Sequence, residues 1–216
     1  MTRGTPHYLI FDLDGTLINS LPDLTTALNL LRREMELPVL QQDQVGAMVG
    51  DGVSLLVRRA LGEKLYSDQR LERFMTLYDQ HLLDQTACYP GITEFLEHHD
   101  PALLALVTNK PIAFTRRILD GLNLAGHFTA VIGGDSYQHK KPDPYPLQQA
   151  MRQIAADPER TVMIGDHHND LQAARAAGIA NCFCGYGFGQ AGDLVPDYYA
   201  ARPADLLTLF PGSLLD

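Results

Sequence analysis

The feature that most constrains this chain is a series of short, unbroken apolar runs separated by stretches of helical periodicity. Tyr8-Leu9-Ile10-Phe11 leads straight into Asp12, and similar runs recur at Leu103 to Val107, Ala130 to Ile132, Thr161 to Ile164 and Asn181 to Phe183. Short runs that are apolar at nearly every residue suit strands buried on both faces. Between them, Phe114, Ile118 and Leu119, then Leu147, Met151 and Ile154, then Leu171 and Ala174 repeat at helical spacing, with Gly178 placed to cap the last helix. Strand alternating with helix predicts an α/β protein built on a doubly wound parallel sheet, a Rossmann-like core.

The rhythm breaks between about residues 20 and 88. Ser20, with Pro22 in the first turn and Asp23 three residues on, has the form of a capping box, and Leu21, Leu24, Leu28, Leu31 and Met35 follow at helical spacing. Leu56, Val57, Ala60 and Leu61 form a second apolar face, and Leu71, Phe74, Met75, Tyr78 and Leu82 a third. No strand pattern separates them. The expectation is an inserted all-helical cap at 19–88, with residues 1–18 and 89–216 forming the core. The stretch from Gly185 onward shows only scattered Gly and Pro.

At 216 residues the chain suits one large domain or a domain with an insertion. Apolar residues at 45% and charged residues at 20% permit a packed core. Seventeen Lys and Arg against 26 Asp and Glu leave a net charge of -9, a field that opposes nucleic acid and anionic membrane. An anionic substrate then requires local positive chemistry. Cys88, Cys182 and Cys184 form no CxxC pair or disulfide framework and suit reduced thiols in a cytoplasm. No apolar stretch has the length of a signal-peptide core or a membrane span.

The chemistry gathers at strand ends. Asp12 and Asp14 flank Leu13 immediately after the first run, in Asp-Leu-Asp-Gly-Thr. Residues at the carboxyl end of a parallel strand face the ligand crevice, and a spacing of two puts both carboxylates on one side. Asp166 and Asp170 follow another run in Gly-Asp-His-His-Asn-Asp. Crowded like charges disfavour ionisation unless a cation compensates, and hard oxygen ligands suit Mg²⁺. Thr108 and Asn109 end a third run and offer a hydroxyl and an amide to phosphate oxygens, while Lys141, directly before Pro142, offers a point charge.

Taken in order, Asp-x-Asp-Gly-Thr, Thr-Asn, Lys-Pro and Gly-Asp-x-x-Asn-Asp resemble the four motifs of the haloacid dehalogenase superfamily of phosphohydrolases, and the helical insertion falls where its capped members carry theirs. The resemblance implies that Asp12 attacks phosphorus and becomes a phosphoaspartate, and that Asp14 protonates the leaving alcohol and later accepts a proton from water. It implies Mg²⁺ held by Asp12, the backbone carbonyl of Asp14, and Asp166, with phosphoryl oxygens bound by Thr108, Asn109 and Lys141. Asp170 would orient Lys141 or a metal-bound water. The substrate class implied is a small phosphate monoester, with 2-phosphoglycolate first. A phosphomutase or another sugar or nucleotide phosphatase shares the same motifs. A phospho-accepting signalling module is disfavoured, because its acceptor carboxylate sits after a later strand.

Within the insertion, Gly50-Asp51-Gly52 precedes the second helix. Its free backbone N–H groups suit a substrate carboxylate, with Asp51 turned away, or the glycines simply permit a tight hinge. Asn19 stands where the family has Asp and suits a turn or cap. His167 and His168 are expected to be exposed loop residues, and Arg58 and Arg59 a solvated helix face. Oligomeric state has no sequence signal.

Overall fold

A computed structural model of the chain describes residues 6–212. The first apolar run forms β1 (Tyr8–Phe11), at the centre of a six-stranded parallel sheet. The other strands are β4 (Leu104–Val107), β5 (Ala130–Ile132), β6 (Thr161–Gly165), β7 (Ala180–Cys184) and β8 (Tyr198–Ala200), in the order β5-β4-β1-β6-β7-β8. The side-chain period of two divides β1 between the two faces. Leu9 and Phe11 pack with Leu104, Leu106, Val162 and Ile164, whereas Ile10 packs on the other face with Ala105, Val107 and Met163. Burial on both faces explains runs that do not alternate in polarity.

Helices cover both faces. The core of α7 (Tyr145–Gln153) and α8 (His168–Ala177) lies on the Ile10 side, and α5 (Ile92–Glu97), α6 (Ile112–Gly121) and α9 (Asp205–Leu209) pack on the Phe11 side. Gly178 adopts the left-handed conformation that ends α8, with φ at 75°. Chain order reverses direction at β1, so the crevice opens beside the carboxyl ends of β4, β1 and β6.

Between β1 and β4 the chain leaves and returns through a two-residue ribbon, β2 (Ile18–Asn19) paired antiparallel with β3 (Ala87–Cys88). Four helices lie between these strands: α1 (Leu21–Glu34), α2 (Gln42–Gly46), α3 (Val53–Leu61) and α4 (Asp68–Gln80). Their apolar faces join the Phe11-side core, and Tyr78 of α4 sets its ring edge-on to Phe114 of α6 at 5.2 Å. The start of α1 lies where Pro22 places it, but the capping box does not form. Ser20 Oγ donates to Asp14 instead, and buried Asp23 accepts from the backbone N–H groups of Gln85 and Thr86. That exchange ties the start of α1 to the segment before β3.

The three cysteines are free thiols, with Cys182 and Cys184 buried. Among the described residues no helix is long and apolar enough to cross a membrane.

Candidate active site

Three strand ends converge on one crevice. Asp12 follows β1, Thr108 follows β4 and Asp166 follows β6, and all three side chains are buried. The turn after Asp12 returns the chain sharply, with Gly15 N–H donating to Ile18 O. Gly15 has φ +81°, and a Cβ there would stand 2.0 Å from Asp166 Oδ2. Only glycine allows the β1 turn to approach the β6 carboxylate so closely.

Lys141 reaches in from the loop before α7. Its Nζ lies 2.9 Å from Asp12 Oδ1, 2.6 Å from Asp170 Oδ1 and 2.6 Å from the Val107 carbonyl. Burial alone would push the ammonium toward neutrality, but Asp12 and Asp170 more than reverse this and hold it charged. Lys140 points elsewhere, donating to the backbone carbonyl of Asp51 at 2.6 Å.

The carboxylates are crowded. Ligand oxygens of Asp12, Asp166 and Asp170 all lie within 4.8 Å of one another. Burial, partly offset by Lys141, raises Asp12 to about 6. Asp166 is pushed well above the ordinary carboxylate range by burial and by the charges of Asp12 and Asp170, although the N–H groups of Phe188 and Gly189 donate to it. Buried hard-oxygen donors whose ionisation is opposed this strongly fit a divalent cation such as Mg²⁺. Asp170 is the least available, because Lys141 occupies Oδ1 and the His167 N–H donates to Oδ2.

Asp14 faces the insertion. Ser20 Oγ donates to its carboxylate, and Lys110 Nζ bridges both oxygens at 3.0 and 3.1 Å. Lys110 also donates to Tyr78 Oη of α4 at 2.7 Å. Sequence reasoning missed both Lys110 and Tyr78. Lys110 stood beside Thr108-Asn109 at a strand end, but Tyr78 read only as part of a helical core stripe.

Asn109 lies at the crevice with its amide engaged: Nδ2 donates to the carbonyls of Gly50 and Lys141, each at 2.9 Å. Asn169, the Asn of the Gly-Asp-x-x-Asn-Asp motif, donates to Gly50 O at 3.2 Å and to Asp51 Oδ1 at 2.7 Å. The Gly50–Gly52 turn therefore sits against the strand ends. Gly50 has φ +116° and packs on the His167 ring, and Gly52 has φ +95° beside Lys140 Nζ. These backbone demands account for both glycines.

Other expectations change. His167 is partly buried, and burial lowers it to about 4, so it is a neutral ring whose Nδ1 accepts from Asn169 N–H. Arg59 pairs with Asp51 at 2.5 Å instead of standing free, while Arg58 pairs with Glu63 near solvent. Asn19 does take the turn role, its Oδ1 accepting from Leu21 N–H.

A parallel sheet with an acidic cluster and a buried lysine at its switch point fits a phosphohydrolase site, and comparison with known proteins shows the class. The chain belongs to the haloacid dehalogenase-like hydrolase family, whose model matches residues 9–184. It is 37% identical to a phosphoglycolate phosphatase of Pseudomonas syringae pv. syringae, across 97% of this chain and 80% of that one. Identity is also 37% to a phosphoglycolate phosphatase of Chromobacterium violaceum, across 92% of this chain and 94% of that one. A crystal structure described as a predicted phosphoglycolate phosphatase from Haemophilus somnus superposes with TM-score 0.84 at 30% identity, covering 94% of this chain and 97% of that one.

Proposed function

We propose that this protein is a Mg²⁺-dependent phosphatase that hydrolyses 2-phosphoglycolate to glycolate and inorganic phosphate through a phosphoaspartate on Asp12. The observation that carries this reading is the convergence of Asp12, Thr108, Lys141 and Asp166 in one buried crevice, with Asp14 beside it. The names of the relatives supply the choice of ester.

In the reaction, an Asp12 oxygen attacks phosphorus while the bond to the leaving oxygen breaks, and Asp14, acting as general acid, delivers a proton to that oxygen. Asp14 then takes a proton from the water that attacks the phosphoaspartate, which releases phosphate, frees the Asp12 carboxylate and returns Asp14 to the acid form that began the cycle. Lys141 and Thr108 supply positive charge and a hydroxyl to the equatorial phosphoryl oxygens, where charge builds up. Asn109, with its amide on Gly50 and Lys141, supports the phosphoryl site by fixing the loop that carries Lys141. Asp12, the Asp14 carbonyl and Asp166 would hold Mg²⁺, which when bound polarises the phosphoryl group as a Lewis acid.

The helices within 19–88 act as a cap over the remaining residues, and Gly50 and Gly52 form the turn that brings it down beside the leaving group. Closure excludes water and orients the ester. Free thiols suit a cytoplasmic location.

The test is phosphate release from a panel of small esters with Mg²⁺, with excess chelator, and with Mg²⁺ restored. The expected result is turnover of 2-phosphoglycolate above the other esters, lost on chelation and recovered on readdition. Full activity of verified metal-free protein would refute the metal requirement, and equal turnover across the panel would refute the choice of substrate.

A further inference from the structure

Resting on the reading of 2-phosphoglycolate as substrate, the geometry points to Lys110 as the carboxylate subsite: its ammonium recognises the second anionic group of a phosphate ester. The pocket that opens from Asp12 runs under α3 and α4 and is walled mainly by apolar side chains, among them Val53, Leu56, Phe74 and Phe114. Among the described residues lining it, Lys110 is the one Lys or Arg. Lys141 is bound at the other end, between Asp12 and Asp170.

A buried ammonium in an apolar wall is costly unless anions surround it. Lys110 has three N–H donors, two directed at the oxygens of Asp14 and one at Tyr78 Oη, so a substrate carboxylate takes the third by displacing the neutral Tyr78 hydroxyl from the ammonium. Its place also sets a length. Lys110 bridges the carboxylate next to the leaving group, so an anion reaching it lies close to the leaving oxygen. A two-carbon leaving group ending in a carboxylate meets that requirement, and Tyr78 Oη offers the same carboxylate a neutral donor. The neighbouring backbone of Gly50 and Gly52 brings no net charge, and Asp51 beside it is neutralised by Arg59. Recognition of the tail thus falls to one cation held between the core loop after β4 and α4, so a carboxylate is bound only where cap and core meet.

The test compares esters of equal length whose tails differ in charge: 2-phosphoglycolate, ethyl phosphate and O-phosphoethanolamine. It pairs them with equilibrium binding of the unreactive 3-phosphonopropionate and propylphosphonate. In the wild type, kcat/KM should follow the order anionic, neutral, cationic, and 3-phosphonopropionate should bind about 10- to 100-fold tighter than propylphosphonate, the usual contribution of one charge-assisted hydrogen bond. Lys110→Met should bring both ratios close to one, and Lys110→Arg should retain most of the preference. If Lys110→Met does not fold, the Asp14→Asn/Lys110→Met pair removes both charges together, and the binding ratio alone decides. Unchanged ratios on loss of the Lys110 charge would overturn the subsite. So would a wild type that binds the two phosphonates equally. Absence of phosphate release from every ester would instead count against the phosphatase reading, while the binding ratio still judges Lys110.

Discussion

Lys141 Nζ lies 2.6 Å from Asp170 Oδ1, and the two side chains expose only 2% and 1% of their surface. A pair this dry contributes little net stability compared with an apolar substitute, and removing Asp170 leaves Asp12, at 2.9 Å, as the one carboxylate still compensating the buried Lys141 charge, so the loss should fall below the roughly 3–5 kcal/mol of a fully broken pair. Asp170 also accepts from the His167 N–H, so one carboxylate fixes both Lys141 and the start of α8. Asp170→Asn should lower the melting temperature and reduce kcat about 10- to 100-fold by loosening Lys141. Calorimetry and steady-state kinetics check this, and wild-type kcat in a folded variant would rule out a positioning role.

Asp12 gives the opposite balance of stability and activity. Burial raises its pKa from 3.8 to about 6, so in the metal-free fold its ionised form is disfavoured. A carboxylate whose folded pKa is raised contributes stability below its unfolded pKa and loses it as pH rises through the folded value. Asp12→Asn should therefore lose turnover by at least about a thousandfold. At pH 7 to 8, in chelator, it should melt no lower than wild type, and any advantage should shrink as pH falls toward about 4. Residual turnover near wild type would remove Asp12 as phosphoryl acceptor.

His167 supplies a stability signal of the other sign. Its pKa falls from 6.5 to about 4, mainly through burial and then through His168, so the unfolded chain takes up a proton that the fold resists. Stability from this group is complete above 6.5 and is lost as pH falls toward 4. His167→Asn keeps an acceptor for the Asn169 N–H and removes the titration. Melting temperatures of the metal-free proteins between pH 7 and 4 should fall less steeply for the variant. Parallel curves would show that His167 does not titrate on unfolding.

The sheet was legible because strands buried on both faces leave unbroken apolar runs, and five of its six strands carried that mark. The sixth, Tyr198–Ala200, has an exposed Tyr199 at the sheet edge and only three residues, so no run distinguishes it from loop. The ribbon of β2 and β3 has two residues per strand and pairs across the whole insertion, a contact no local pattern encodes. At the site, Asp12, Asp14, Thr108 and Asp166 stood out in the sequence because each follows a strand, and Lys141 because it directly precedes Pro142; the fold gathers them around one crevice. Tyr78 was not, because its helical spacing is that of a core residue and only the fold brings its hydroxyl to Lys110. Ser20 and Asp23 carried a correct local signal for a helix start, yet each bonds to a distant partner. Tertiary hydrogen bonds overrode the local cap.

Asn169 joins the turn of 50–52 to the start of α8. Its Nδ2 donates to Gly50 O at 3.2 Å and to Asp51 Oδ1 at 2.7 Å. Asn109 and Lys140 donate to the carbonyls of Gly50 and Asp51 from the neighbouring loops. Four donations therefore hold one turn of the insertion against the strand ends, and Asn169 provides two of them. Each is worth about 0.5–1.5 kcal/mol, so Asn169→Ala should weaken the closed arrangement by about 1–3 kcal/mol. On the proposed reading, in which closure gates binding of the ester, the loss should fall mainly on KM, raised roughly tenfold or more, with kcat changed less. Amide hydrogen exchange across residues 48–53 should quicken in the variant, while exchange in β1 and β6 stays slow. Unchanged exchange at 48–53 together with an unchanged KM would show that the remaining donors from Asn109 and Lys140 suffice to hold the turn, and would remove Asn169 from the latch.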